Sequence, residues 1–227
     1  MRSLPIGIQT FEKIRTGNYF YVDKTKEAYE LITQYEYVFL SRPRRFGKSL
    51  FLDTLKCIFQ GRKELFEGLY IYDKWNWEEK HPVIYICWDG VLDSMDGIKE
   101  KLNIILLNNQ ERLDVKCEEG FTPSGCFERL IKKTYDKYQK QVVILVDEYD
   151  KPILDNITNN ELSRQAREYL RGVYSIIKGN SQYIRFVFLT GVSKFSKTGI
   201  FSGLNQLVDI TLDEKYGNIC GYRQEDV

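Results

Sequence analysis

An α/β fold built on a parallel sheet is predicted by three observations. Short apolar runs alternate with helix-period segments along the chain. Three of the runs are apolar almost without interruption, the pattern of strands buried on both faces. Between the first run and a helical pattern stands Phe46-Gly47-Lys48-Ser49, the tail of a phosphate-binding loop in the strand–loop–helix setting that such a loop needs.

The elements follow in order. Predicted strands are "YVFLS" (37–41), "PVIYICW" (82–88), "QVVILVD" (141–147), "IRFVFLT" (184–190) and "LVDITL" (207–212). A helix over 48–60 places Phe51, Leu52, Leu55, Ile58 and Phe59 on one face, and Gly61 is its stop. Helices over 94–113 and 124–138 take Ser94 and Ser124 as N-caps. A fourth, over 161–178, repeats Leu162, Ala166, Tyr169, Leu170, Val173, Ile176 and Ile177 at helical spacing before Gly179-Asn180. No repeat, low-complexity tract or Pro/Gly/Ser linker interrupts the sequence, so residues 1–227 read as one domain, with about 1–36 leading into the first core strand.

Composition narrows the function. At 43% hydrophobic and 14% aromatic, the 227 residues supply a large core. A net charge of +1 gives no global attraction to nucleic acid, so DNA binding is expected to be weak and made through backbone phosphates. Five cysteines without C-x-x-C spacing and a single histidine, His81, do not make a zinc site, and reduced thiols packed as small apolar residues are expected. No thiol has a supporting motif for a cysteine hydrolase with His81. The amino-terminal twenty residues hold no apolar signal run, and the longest apolar stretches fall short of the ~20 residues of a membrane span, so a cytoplasmic protein is expected. Asn156-Ile157-Thr158 is read as a polar loop.

The loop pattern G-x-x-x-x-G-K-[ST] asks for glycine at position 42, and this chain has Arg42. Either the loop opens less tightly, because arginine lacks glycine's freedom at positive φ, or Arg42 takes an ordinary φ and Pro43 sets the turn. The helix that follows turns its free N–H groups and positive dipole end toward the loop, which suits an anion. Gly47 admits the phosphates closely, Lys48 reaches the β- and γ-phosphates, and the Ser49 hydroxyl suits Mg²⁺. The binding set is Arg42, Pro43, Arg44, Arg45, Phe46, Gly47, Lys48, Ser49 and Leu50, with Thr190. Arg44 and Arg45 clamp phosphate, reach a neighbour's nucleotide, or merely solvate the turn.

"VVILVDEYD" ends a buried strand on Asp147 and Glu148, at the edge of a parallel sheet where ligands bind. Asp147 is the expected holder of Mg²⁺ through its water shell, and Glu148 the base that orients and deprotonates the attacking water; Lys48 is grouped with it as catalytic. Thr190, ending the fourth strand, either senses the γ-phosphate or simply ends a strand, and Asp89 is read as a turn cap. The guanine-selecting N/T-K-x-D motif is absent, which leaves adenine as the base and ATP as the nucleotide.

The phrases "FYVDKT", "FLSRPRRFGKSLFLDTL", "VVILVDEYDKPI", "FLTGVSKFSKTGIFSGLNQLVDIT" and "YGNICGY" occur in that order over nearly the whole chain. Together they resemble the AAA-ATPase-like family of bacterial and archaeal proteins. The resemblance implies that R-P-R-R-F-G-K-S is the family's own form of the loop. It implies a P-loop NTPase three-layer sandwich with strand order 5-1-4-3-2. It also implies ATP and Mg²⁺ as ligands. Many such proteins carry a helical segment and a PD-(D/E)XK nuclease-like domain after the ATPase. This chain stops at Val227 with neither, so it is expected to be a truncated product, a split gene, or an ATPase half that acts with a separate nuclease-like partner or on DNA. Two function classes follow: a Mg²⁺-dependent ATPase, and a nucleotide-gated binding module with little hydrolysis.

Overall fold

The computed structural model describes residues 3–118, 120–194, 200, 204 and 206–226. Five strands form one all-parallel sheet: β1 (Tyr37–Ser41), β2 (Val83–Cys87), β3 (Val142–Asp147), β4 (Ile184–Gly191) and β5 (Val208–Asp209). Their order across the sheet is β2-β3-β4-β1-β5, which read from the other edge is the expected 5-1-4-3-2. The architecture is that of a P-loop NTPase-like sandwich.

Seven helices surround the sheet among the described residues: α1 (Phe11–Thr16), α2 (Thr25–Gln34), α3 (Lys48–Phe59), α4 (Met95–Leu113), α5 (Pro123–Tyr138), α6 (Lys151–Leu154) and α7 (Asn160–Gly179). All six residues of β3 are buried, because the strand is covered on both faces. Ile144 and Val146 pack with α4, α5 and α7 through Leu106, Leu130 and Val173, while Val143 and Leu145 pack with α2 and α3 through Leu31, Leu52 and Leu55. That double burial is why the strand reads as an unbroken apolar run rather than an alternating one.

Several boundaries differ from expectation. The N-cap of α5 is Thr122, whose hydroxyl accepts from the Gly125 N–H, and Ser124 lies inside the first turn behind Pro123. Proline suits the first helical position because its missing N–H would be unpaired there anyway, so the cap falls just before it. Ser94 does cap α4 through the Gly97 N–H, and Gly61 follows α3 at φ 70. The fifth strand keeps two residues of the six expected, at the sheet edge beyond β1. The part of "FLTGVSKFSKTGIFSGLNQLVDIT" at 195–199, 201–203 and 205 lies outside the described residues.

The cysteines correct another expectation. Cys117 and Cys126 are joined by a disulfide across the α4–α5 connection, their Cα atoms 5.6 Å apart, whereas Cys57, Cys87 and Cys220 are free. Burial pushes the Cys57 thiol up to about 12. His81 is buried, with Nδ1 2.8 Å from the Gln141 carbonyl and its ring edge-on to Phe59, which is a packing role. Asn156 is also built in rather than looped out: its amide donates to the carbonyls of Leu92 (2.6 Å) and Pro152 (2.8 Å). Among the described residues no helix is long and apolar enough to cross a membrane.

The free edge of β2 is closed by side chains. Asn109 on α4 accepts from the Tyr85 N–H at 2.9 Å and donates to the Tyr85 carbonyl at 2.8 Å, as a neighbouring strand would. Arg112 donates to the Val83 carbonyl at 2.6 Å. An uncovered edge presents unpaired backbone groups to other chains. Asn109→Ala is therefore expected to lower unfolding free energy by roughly 1–3 kcal/mol, the cost of leaving buried partners unpaired. A urea midpoint equal to wild type would refute this.

Candidate functional site: the carboxyl edge of the sheet

The phosphate loop leaves β1 at its carboxyl end. Arg42 takes an ordinary φ, and the left-handed positions are Arg45 (φ 69) and Gly47 (φ 88). Arg42 thus keeps an ordinary backbone, as the second of the two expected accommodations has it, and the loop takes its left-handed turns at Arg45 and Gly47. The Arg42 N–H donates to the Gly191 carbonyl at 3.1 Å, prolonging the β1–β4 ladder by one bond. Its guanidinium turns back onto the carbonyls of Ser41 (3.0 Å), Thr211 (2.6 Å) and Tyr216 (3.3 Å), so the side chain ties the loop to the segment after β5. Pro43, Arg44, Arg45, Phe46 and Gly47 are exposed, while Ser49 and Leu50 are half-buried at the start of α3.

Gly47 stands in open space: a Cβ there would meet only the Gly221 backbone nitrogen, at 3.9 Å. An incoming anion thus finds room and backbone together. Lys48 is buried, and its Nζ donates to the carbonyls of Arg42 (3.0 Å) and Pro43 (2.9 Å), curling the loop around its own ammonium group. Burial pushes this lysine's pKa down, and the carboxylates of Asp147, Glu148 and Asp150 oppose that shift. The loop and the acidic strand end therefore share one electrostatic site.

Asp147 closes β3 at 2% exposure. Its Oδ1 accepts from the Thr190 hydroxyl at 2.8 Å and from the Glu148 N–H at 3.1 Å. Thr190 is fully buried, so its hydroxyl faces the aspartate rather than solvent. Glu148 bends the chain with φ 53, a left-handed conformation uncommon for its residue type. Burial raises its carboxyl pKa first, and neighbouring Asp147 adds to the shift; Lys151, Arg44 and Lys48 pull the other way. Asp89 is drawn off into an ion pair with Lys101 on α4. Among the described residues no three His, Cys, Asp or Glu side chains gather around a metal position. A cation here would rest on Ser49, Asp147 and ligand oxygens, a donor set of hard oxygens that suits Mg²⁺.

The model of the AAA-ATPase-like family, described as predicted AAA-ATPases, matches residues 5–201. The chain belongs to that family. Its membership supports nucleotide binding. A curated relative from Azotobacter chroococcum mcd 1, an uncharacterized protein in the vnfD 5′ region, is 49% identical over 228 residues, covering 100% of this chain and 44% of the relative. The chain thus spans less than half of that relative's length. No solved structure matches it.

In this member of the AAA-ATPase-like family, sequence reasoning passed over two residues of the site. Tyr149 and Asp150 complete the "DEYD" phrase, yet only their contacts with residues some forty positions away reveal what they do. The Tyr149 N–H donates to the Thr190 carbonyl at 3.0 Å and its hydroxyl to the Ser193 carbonyl at 2.9 Å. Asp150, 1% exposed, accepts from the N–H groups of Val192 and Ser193. The signal available in sequence was an acid two positions beyond Glu148 that the metal and base assignments left unused.

Proposed function

We propose that this domain binds Mg·ATP in the loop 42–50 and hydrolyses it. The observation that supports this best is the convergence of three strand ends: the loop after β1, Asp147-Glu148 after β3 and Thr190 on β4, with Thr190 bonded to Asp147. In this reading Lys48 exchanges its two carbonyl partners for the β- and γ-phosphates, and the loop N–H groups hold the remaining phosphate oxygens. Ser49 and Asp147 would hold Mg²⁺, which neutralises charge that builds on the phosphates. Glu148 accepts a proton from the attacking water, a role that its raised carboxyl pKa suits. Thr190 keeps Asp147 oriented. Arg44 lies close enough to Glu148 to influence its charge and is assigned to the phosphate mouth, with Arg45 and Phe46 beside it.

Hydrolysis is proposed to drive work on DNA with a nuclease-like partner. Support for that coupling is the family resemblance alone. The second reading, a nucleotide-gated module with little turnover, draws support from Arg42, whose bonds to Thr211 and Tyr216 give the loop a direct mechanical link to the carboxyl-terminal segment.

Steady-state ATP turnover by the purified chain, with and without duplex DNA, separates the two. Turnover above that of Lys48→Ala supports the enzyme, and binding without turnover supports the module. Under either reading saturating Mg·ATP is expected to raise the melting temperature. A hundredfold excess over Kd adds about 2.7 kcal/mol. Superimposable melting curves with and without nucleotide would remove the basis of both readings.

A further inference from the structure

We infer that Asp150 is a positioning residue for ATP hydrolysis: its carboxylate holds the end of β4 against the end of β3, so that Thr190 keeps Asp147 in place. The inference rests on the hydrolytic reading above and adds to it a residue outside the phosphate, metal and base assignments.

Pairing between β1 and β4 runs to Ser41↔Gly191, and the Arg42 N–H prolongs it. Pairing between β3 and β4 stops earlier, at Val146↔Leu189. The bond from Thr190 to Asp147 therefore lies beyond the last ladder pair, where the backbone bond from the Tyr149 N–H to the Thr190 carbonyl is what remains of the pairing. Glu148 then turns the chain through its left-handed conformation. That turn carries Tyr149 and Asp150 under the end of β4.

What replaces the ladder there is a set of bonds centred on Asp150. Its Oδ2 accepts from the Val192 N–H at 3.1 Å and from the Ser193 N–H at 2.6 Å, and its Oδ1 lies 3.3 Å from the Val192 nitrogen. Charge-assisted bonds of this kind are about twice as strong as neutral ones. Tyr149 adds its N–H on the Thr190 carbonyl and its hydroxyl on the Ser193 carbonyl. From the other side Trp88 Nε1 donates to the Tyr174 hydroxyl at 3.0 Å, which donates to the Tyr149 carbonyl at 3.3 Å, so the clasp is anchored to β2 and α7. The loop side of the same turn is held separately, by the Ser41 hydroxyl on the Val192 carbonyl at 2.8 Å and by the ladder. Loss of Asp150 therefore loosens Asp147 and Thr190 while the phosphate loop stays registered on β4. Turnover should suffer more than nucleotide affinity.

The test compares wild type, Asp150→Ala, Asp150→Asn, Tyr149→Phe, Thr190→Val and the Asp150→Ala/Thr190→Val double variant. Calorimetry gives Mg·ATP affinity, and single-turnover kinetics gives the chemical rate. Asp150→Ala is expected to slow turnover by about 10- to 100-fold, the scale of a small misplacement at a reacting centre, with affinity held within a few-fold. Asp150→Asn keeps an acceptor and should recover part of the rate. Acting through Thr190, Asp150 should not add to its loss, so the double variant is expected within about threefold of the slower single. If Asp150→Ala does not fold by its melting curve, Asp150→Asn and Tyr149→Phe carry the comparison, each slower than wild type at unchanged affinity. A wild-type rate in those variants, multiplicative losses in the double variant, or an affinity loss like that of Lys48→Ala would overturn the inference. A wild type that binds ATP without turning it over would instead overturn the hydrolytic reading itself and this inference with it.

Discussion

Glu148→Gln is expected to bind Mg·ATP nearly as tightly as wild type while turning it over about 10² to 10⁴ times more slowly, the usual effect of losing a general base. The separation follows from where the two key side chains act. In the proposed function Lys48 meets phosphate in the ground state, so Lys48→Ala should lose affinity as well as rate. Glu148 is there proposed to act on water, which contributes little to holding the nucleotide. A drop of that size corresponds to roughly 3–5 kcal/mol of transition-state stabilisation. Asp147→Asn should lie between the two, since a weaker hold on the cation harms both binding and chemistry. Calorimetry beside single-turnover rates reads all three. Wild-type turnover in Glu148→Gln would end the base assignment, and an affinity loss matching Lys48→Ala would give the "DEYD" segment a role in folding instead.

The second large effect is expected at Gly191. A Cβ added there would sit 2.4 Å and 2.5 Å from two ring carbons of Tyr149 and 2.6 Å from Asp150 Oδ1. Neither neighbour has room to yield. Tyr149 is fully buried, edge-on to Phe39 at 5.3 Å, with its hydroxyl on Ser193, and Asp150 holds two backbone N–H groups. Overpacking of this kind costs about 1–3 kcal/mol, so Gly191→Ala should unfold at markedly lower urea and lose turnover. The contrast is Gly172, exposed on α7, where a Cβ meets nothing within 4 Å. Gly172→Ala should gain about 0.5–1 kcal/mol through helix propensity and a less flexible unfolded chain. Equal midpoints for the two alanine variants would show that Tyr149 and Asp150 move aside after all.

What was legible in the sequence follows a physical boundary. β1, β3 and β4 announce themselves because burial on both faces leaves few polar positions, most of them at the carboxyl ends, and α3 and α7 because one apolar stripe repeats at helical spacing. The loop tail and the acids of β3 are contiguous in sequence, so their chemistry travels with them. The roles of Arg42, Asn109 and Asp150 were hidden because each is defined by a backbone partner far along the chain, 169, 24 and 43 residues away. The Cys117–Cys126 bridge was hidden for a related reason, since proximity of two thiols depends on how α4 hands over to α5. The amino-terminal helices α1 and α2 are short, six and ten residues, so neither repeats an apolar stripe long enough to stand out in the first 36 residues.

Glu148 keeps a backbone angle of φ 53, where an ordinary side chain gives up roughly 1–2 kcal/mol and asparagine or glycine much less. Position 148 therefore sets two selections against each other. A library screened only for survival on heating is expected to drift toward asparagine or glycine at this codon, whereas one screened for ATP turnover should retain glutamate and bear the strain. Thermal tolerance and activity would then part company first at a single position, and a stabilised descendant of this domain would betray its history by what stands at 148.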